Sequence, residues 1–473
     1  MLFPTLAFHL FFVAVFLFSW SLRGSAEWQI EWRKIGLLVA SWIFYGAWDW
    51  RFVSLLLLSS ALNWIAGNAI HANEGQQGRQ KLWLTAGLVF NLGVLGLFKY
   101  YNFFVLQLAP VLTSMGWERD LPVLEIILPV GVSFFTFQGI GYLVDIYRRD
   151  TPPARLLDLT LLMCFFPHLL AGPIVRPTHL IPQFQTAPRL TREMVAMGLL
   201  LIVWGVFKKA VIASEISIAF VDPLFADPAK HGSLDLLLGA YAYAVQIYCD
   251  FSAYTDTAIG LAALLGYRFP RNFDQPYRAA SLQDFWRRWH ISLSSWLRDY
   301  LYIPLGGSRH GLARTCLSLG LTMVLGGLWH GASWNFVIWG MIHGGMLIAE
   351  RLWKEFRPAN LPHVPHWLGV VFTFHIVTLA WIFFRCASFA DSMAYLGGLA
   401  ALAPGAVTAG PLVVGLMLLG MGLHFGPPRL MPAIALRLRL APAWAVALLL
   451  AGCLMLVEAM RPDGVAPFIY FQF

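Results

Sequence analysis

The stretch Leu325-Gly-Gly-Leu-Trp-His330-Gly-Ala-Ser-Trp-Asn335-Phe places one histidine where two apolar segments, 317–329 and 336–349, meet. A polar side chain at membrane depth is costly, so one that is retained there is a candidate functional residue. The glycines beside His330 predict an open space, and the tryptophans predict its walls. A histidine that only bonds a carbonyl oxygen between packed helices would give the same pattern, so the rest of the chain has to decide.

The composition of the chain is that of a polytopic membrane protein. Of its 473 residues, 58% are hydrophobic and 12% are charged, whereas soluble domains average about 25% charged residues. A span requires about 20 mostly apolar residues, and by that criterion we count about eleven to thirteen candidate segments. We therefore predict an all-α protein of transmembrane and re-entrant helices.

Two stretches are expected to differ from plain lipid-facing spans. The run from His168 to Pro177 is broken by proline and glycine, and such backbone survives at membrane depth only when it is buried in protein or lines water. A re-entrant segment therefore fits it best. The segment 125–146 carries scattered polar side chains, which suggest that it faces a cavity.

The net charge of +8 is a topology signal, because basic residues concentrate in the cytoplasmic loops of membrane proteins. Nucleic acid is therefore not expected as a partner. The first loop, 21–34, is predicted to be cytoplasmic, with the N-terminus outside; its basic residues are Arg23, Arg33 and Lys34. The last span is preceded by Arg429, Arg437 and Arg439, which predict that it starts on the cytoplasmic side. Residues after Arg461 are therefore expected to lie outside.

A second histidine motif, Phe285-Trp-Arg-Arg-Trp-His290, precedes His330 by 40 residues and lies in the most polar segment, 266–314. A basic cytoplasmic loop explains the charge but not the aromatic residues among the arginines. Guanidinium groups bind phosphates, so the segment suits a nucleotide-bearing donor; anionic lipid headgroups would suit it equally. The candidate donor-binding residues are Arg287, Arg288, Arg298 and Trp329.

Other polar residues in apolar segments are assigned structural roles. Asp250 and Asp256 lie on different faces of any straight helix over 236–265, so we interpret them as caps or hydrogen-bond anchors rather than a catalytic pair. Lys208-Lys209 interrupts the span 194–213. The five cysteines lack the spacing of metal ligands, so they are interpreted as reduced packing residues, and no metal is predicted. The sequence also contains no Walker or Rossmann glycine pattern, and no bound cofactor is predicted.

Together with Arg298-Asp-Tyr-Leu-Tyr-Ile-Pro-Leu-Gly-Gly307, the two histidine motifs resemble the membrane-bound O-acyltransferase (MBOAT) family. The bacterial branch that acylates alginate, peptidoglycan and teichoic acid is the most similar one. The resemblance implies a single membrane domain, 1–473, in which a helical bundle forms a central funnel. We expect N-terminal helices over 1–124, the catalytic core over 125–350, and C-terminal helices with an acyl-relay tail over 351–473.

The resemblance also implies roles for individual residues. The family histidine that matches His330 is essential for acyl transfer, and His330 is expected to take the proton of the attacking hydroxyl as general base. The position of His290 is held by histidine or asparagine in the family, and His290 is expected to orient the thioester or stabilise its oxyanion. The ending of the chain resembles a tyrosine motif of teichoic-acid D-alanylation, which implies an acyl relay at Tyr470; a membrane-surface anchor is the alternative.

The function implied is transfer of an acetyl group across the bacterial inner membrane to an extracytoplasmic polysaccharide such as alginate. Acetyl-CoA is the expected donor, and the expected partners are membrane lipid and an extracytoplasmic acetyltransferase protein. Three alternatives stay open: D-alanyl or other acyl transfer to a cell-wall polymer, acylation of a lipid, and a transporter, for which broken helices with buried polar groups are also typical.

Overall fold

The computed structural model describes residues 3, 5–116, 123–362 and 364–460. Over these residues the protein is built of helices and contains no β-strand, which confirms the all-α class. The chain divides into two compact units, an N-terminal unit of residues 1–194 with 261–270, and a C-terminal unit of 195–260 with 271–473. The expected single domain, with divisions at 124 and 350, stays a prediction.

The N-terminal unit contains nine helices among its described residues. A π-helical turn, Gly96–Tyr100, joins α4 to α5. The helices are α1 (Leu6–Ser21), α2 (Glu27–Asp49), α3 (Arg51–Ala72), α4 (Gln77–Leu95), α5 (Tyr101–Ser114), α6 (Val132–Arg148), α7 (Leu156–Cys164), α8 (Phe166–Leu169) and α9 (Pro177–Phe184).

The remaining helices belong mainly to the C-terminal unit. They are α10 (Arg192–Phe207), α11 (Ser214–Ile216), α12 (Asp222–Ala226), α13 (Ser233–Leu264), α14 (Leu282–Arg288), α15 (Ile291–Leu297), α16 (Gly311–His330), α17 (Trp334–Phe356), α18 (His366–Arg385), α19 (Phe389–Ala400), α20 (Pro411–His424), α21 (Leu430–Leu440) and α22 (Ala443–Met460). Short π-helical turns interrupt the series at Lys208–Ala213, Ser217–Val221 and Arg298–Tyr302.

Six helices in the described part of the chain are long and apolar enough to cross a membrane. They are Arg51–Ala72, Gln77–Ser114, Arg192–Ala226, Gly311–His330, His366–Arg385 and Ala443–Met460, and Ala7–Ser21 and Pro411–His424 are shorter apolar helices. The protein is therefore a multi-pass membrane protein. The count from the sequence is higher because it also included short and interrupted apolar segments.

The predicted first loop is wrong in its extent, because α2 already begins at Glu27. Arg33 and Lys34 lie inside this helix and are fully buried. Nζ of Lys34 donates a hydrogen bond to the carboxylate of Asp158 over 2.7 Å, and Arg33 donates to the carbonyl oxygen of Thr186 over 2.8 Å. Two of the three basic residues of that topology signal are thus internal contacts of the N-terminal unit.

The polar side chains of segment 125–146 face the interior of the N-terminal unit from Ser133 onward, whereas Glu125 is exposed. The helix begins only at Val132, after Gly131, whose φ of +79° suits glycine. Gln138 on this helix is buried, and its side-chain nitrogen lies 2.9 Å from Nε2 of the buried His168. Residues 170–176, after α8, are non-helical and largely buried, as the broken sequence there predicts.

Candidate active site

His330 is the last residue of α16, and its side chain is only 3% exposed. Three aromatic rings surround the imidazole. The ring centroids of Trp329 and Trp339 each lie 5.0 Å from that of His330, and Phe384 lies at 5.2 Å. Trp329 thus packs against His330 as expected. Trp334 is 54% exposed, and the other two rings are Trp339 of α17 and Phe384 of α18.

At Gly327 and Gly340 the structure has touching backbones where open space was expected. A Cβ atom on Gly327 would collide with the carbonyl oxygen of Phe336, and one on Gly340 would collide with that of Met323. The missing side chains therefore allow the backbones of α16 and α17 to touch. This close approach fixes Trp339 of α17 against His330 at the end of α16.

His290 lies between the seven-residue helices α14 and α15, and it is fully buried. Its backbone is left-handed, with a φ of +43°, a conformation that costs energy in a non-glycine residue and often occurs at functional sites. The ring packs edge-on against Phe251 of α13, with centroids 4.7 Å apart. It also contacts the indole of Trp329, with ring centroids 6.2 Å apart. The structure therefore brings His290, Trp329 and His330 together.

Asn272 holds His290 in place, and sequence reasoning missed it. Its Oδ1 accepts hydrogen bonds from the backbone nitrogen of Ser292 over 3.0 Å and from its hydroxyl over 2.8 Å. The same oxygen lies 3.3 Å from Nδ1 of His290. His290 is fully buried, and burial disfavours the charged form of an imidazole.

The helix that leads to His290 is fixed at its beginning by α17. The carboxylate of Glu350 accepts hydrogen bonds from the backbone nitrogens of Leu282, over 2.5 Å, and Gln283, over 3.1 Å. These are the first-turn donors that a helix leaves unsatisfied. His343 precedes Glu350 on the same helix and is fully buried. Its ring packs against that of Trp286 of α14, with centroids 5.3 Å apart. The sequence shows Glu350 only as one more charged residue, so it gave no signal of this contact.

The three candidate arginines differ in their surroundings. Nε of Arg288 donates to Asp284 over 2.9 Å, and Nε of Arg298 donates to Asp299 over 2.6 Å. The side chain of Arg287 is exposed, and no ion pair to it is found in the described ranges. Arg287 is therefore the arginine of this set whose charge is most readily offered to a phosphate.

The two acids of α13 pair with the two lysines of the π-helical turn. Lys208 lies 2.7 Å from Asp256, and Lys209 lies 2.8 Å from Asp250, both measured from Nζ to a carboxylate oxygen. Both acids thus anchor α13 to the π-helical turn, as interpreted, but their lysine partners were not predicted. The sequence could not indicate the pairing, because it depends on how the π-helical turn directs two consecutive lysines.

The predicted acyl relay at Tyr470 lies outside the described residues. No set of three or more His, Cys, Asp or Glu side chains that could hold a metal is found within the described ranges.

The aromatic shell around two buried histidines lies in a part of the chain with a known family signature. The sequence model of MBOAT, the membrane-bound O-acyltransferase family, matches residues 152–390, a range that includes both His290 and His330. The chain therefore belongs to the membrane-bound O-acyltransferase family, and it is an O-acyltransferase.

Three relatives are similar to most of the chain. A probable alginate O-acetylase, AlgI, of Azotobacter vinelandii is 44% identical over 358 residues, 75% of this chain and 70% of the relative. A peptidoglycan O-acetyltransferase of Helicobacter pylori is 35% identical over 396 residues, 78% of this chain and 74% of the relative. A teichoic acid D-alanyltransferase of Bacillus subtilis is 28% identical over 311 residues, 59% and 76% of the two chains.

Proposed function

We propose that this protein transfers an acetyl group from cytoplasmic acetyl-CoA, across the bacterial inner membrane, to hydroxyl groups of an extracytoplasmic polysaccharide such as alginate. The observation that carries the proposal is the pair of buried histidines, His290 and His330, which both contact Trp329 in the segment that matches the family. The names of the alginate and peptidoglycan O-acetyltransferase relatives support the acetyl group and a polymer acceptor.

The chemistry assigned to the site is attack of a hydroxyl oxygen on the thioester carbonyl carbon. His330 takes the hydroxyl proton as general base while the new C–O bond forms. The C–S bond then breaks, and the proton passes from the imidazolium to the departing thiolate. The aromatic shell of Trp329, Trp339 and Phe384 supports this role, because it keeps water from the reacting groups.

Donor binding is assigned to the basic segment beside His290. Arg287 is the leading phosphate contact because it is exposed and Arg288 and Arg298 already pair with carboxylates. A pyrophosphate accepts charge-assisted hydrogen bonds from such groups. Trp329, which contacts both histidines, would then lie beside the acyl end of the donor.

The acyl group has to reach an acceptor outside, and a polymer does not thread into a buried site. We propose that Tyr470 takes the acetyl group as a phenolic ester and passes it to an extracytoplasmic partner protein. The variant Tyr470→Phe keeps the aromatic ring and removes the hydroxyl. The relay predicts loss of polymer acetylation in this variant and an acetyl mass on the wild-type C-terminal peptide; normal acetylation in Tyr470→Phe would leave only a membrane anchor.

The donor and acceptor are tested with the purified protein in proteoliposomes. Radiolabelled acetyl-CoA, palmitoyl-CoA and a D-alanyl thioester are supplied in parallel, and label is followed into protein, lipid and added polysaccharide. The proposal predicts acetyl-CoA turnover with label in protein or polysaccharide. Preference for palmitoyl-CoA with label in lipid would indicate a lipid acyltransferase, and preference for the D-alanyl thioester would indicate the other cell-wall reaction.

A further inference from the structure

The hydrogen bonds around Asn272 determine which nitrogen of His290 carries the proton. The backbone N–H of Ser292 can only donate, so the atom it contacts at 3.0 Å is the oxygen of the Asn272 amide and not its nitrogen. That oxygen can only accept. The Nδ1 atom of His290, 3.3 Å away, must therefore be the donor of the pair.

The opposite nitrogen of His290 then carries a lone pair. In a neutral imidazole with a proton on Nδ1, Nε2 is an acceptor. Nε2 of His290 is completely buried, and it has no hydrogen-bonding partner anywhere in the described part of the chain. Buried acceptors are almost always satisfied, and an exception calls for an explanation such as an absent ligand. The left-handed backbone of His290 is a second sign of a position held for function.

We infer that Asn272 is a positioning residue that fixes His290 as a hydrogen-bond acceptor at Nε2, and that the group it accepts from is an amide N–H of a pantetheine thioester donor. Thioesters of this class carry two amide N–H groups near the acyl end, and these need acceptors in a water-free site. The inference rests on the proposed function and deepens it. It also replaces the expected role of His290 at the oxyanion, because a lone pair repels a developing negative charge.

The chain offers a matched pair of variants to test Asn272. Asn272→Ala removes the acceptor that orients His290, whereas Ser292→Ala removes one hydrogen bond to Asn272 and leaves the His290 contact intact. The inference predicts that Asn272→Ala raises the KM for acetyl-CoA about tenfold with a smaller change in kcat, while Ser292→Ala behaves as wild type. Asn272→Asp should restore a low KM, because a carboxylate oxygen also accepts from Nδ1–H.

A donor analogue gives a reading that does not depend on how Asn272 variants fold. Acetyl-pantetheine analogues in which one amide is replaced by an ester lack the corresponding N–H. With the wild-type protein, one such analogue should react about tenfold less efficiently than acetyl-pantetheine. With His290→Ala, that analogue and acetyl-pantetheine should react equally well. Equal effects of Asn272→Ala and Ser292→Ala, or an unchanged penalty for the analogue in His290→Ala, would overturn the inference. Failure of the wild-type protein to use any acetyl thioester would instead overturn the proposed function.

Discussion

The imidazole of His290 and the indole of Trp329 lie in contact, with ring centroids 6.2 Å apart and planes inclined by 64°. Trp329 also contacts its neighbour His330 edge-on, at 5.0 Å. One tryptophan thus contacts two imidazoles that are far apart in sequence. Changes to Trp329 should therefore affect acyl transfer more than changes to a tryptophan outside this shell.

Trp329→Phe is expected to fold and to retain a measurable part of the acyl transfer rate, because a phenyl ring can still pack against the two histidines. Trp329→Ala should lose transfer and also stability, since truncation of a buried tryptophan costs about 3–5 kcal/mol. Trp334→Ala is the matched control, because Trp334 is half exposed. Transfer rates and melting temperatures of the three purified variants check this. An unaffected rate in Trp329→Ala would show that the ring has no part in the site.

Arg287→Gln is expected to raise the KM for acetyl-CoA about tenfold and to leave kcat nearly unchanged, because a phosphate contact is lost equally in the ground and transition states. Arg271→Gln serves as control, since Arg271 pairs with Asp274 at the surface. Steady-state kinetics over a range of acetyl-CoA concentrations separates the two parameters. A lower kcat at constant KM would assign Arg287 to helix or lipid contacts.

Asp250→Asn is expected to destabilise the protein by about 3–5 kcal/mol, because it leaves the buried charge of Lys209 without its partner. The double variant Lys209→Met with Asp250→Leu should recover much of this stability, since an apolar pair often replaces a buried ion pair without loss. Thermal unfolding in detergent measures both. If Asp250→Asn keeps its stability but loses acyl transfer, the carboxylate takes part in the reaction instead.

The sequence predicts the parts of this protein that depend on local pattern. The apolar segments, both histidine motifs and the break before Pro177 are local features, and the fold and the family followed from them. Contacts between distant segments could not be predicted in this way. Asn272 follows an ordinary proline-containing stretch. Its role is visible only in the folded structure, where its amide oxygen lies next to Nδ1 of His290.

The glycines illustrate the same limit. A run of small residues at a helix end is compatible with an open cavity and with two touching backbones. The carbonyl oxygens of Met323 and Phe336 decide the matter, because they occupy the space that side chains at Gly340 and Gly327 would need. The buried Lys34 is a similar case, since its partner Asp158 is far away in the sequence.

The central claim is that His330 carries acyl transfer in this protein, and the most direct test compares His330→Ala and His330→Gln with the wild type. Transfer from radiolabelled acetyl-CoA is measured in proteoliposomes, together with membrane insertion and melting temperature. Glutamine fills most of the space of the imidazole, so it controls for packing. We predict that both variants insert and fold while their transfer rates fall by about 10² to 10⁴-fold, the usual contribution of a general base. A wild-type rate in His330→Ala would contradict the account and leave His330 as a packing residue.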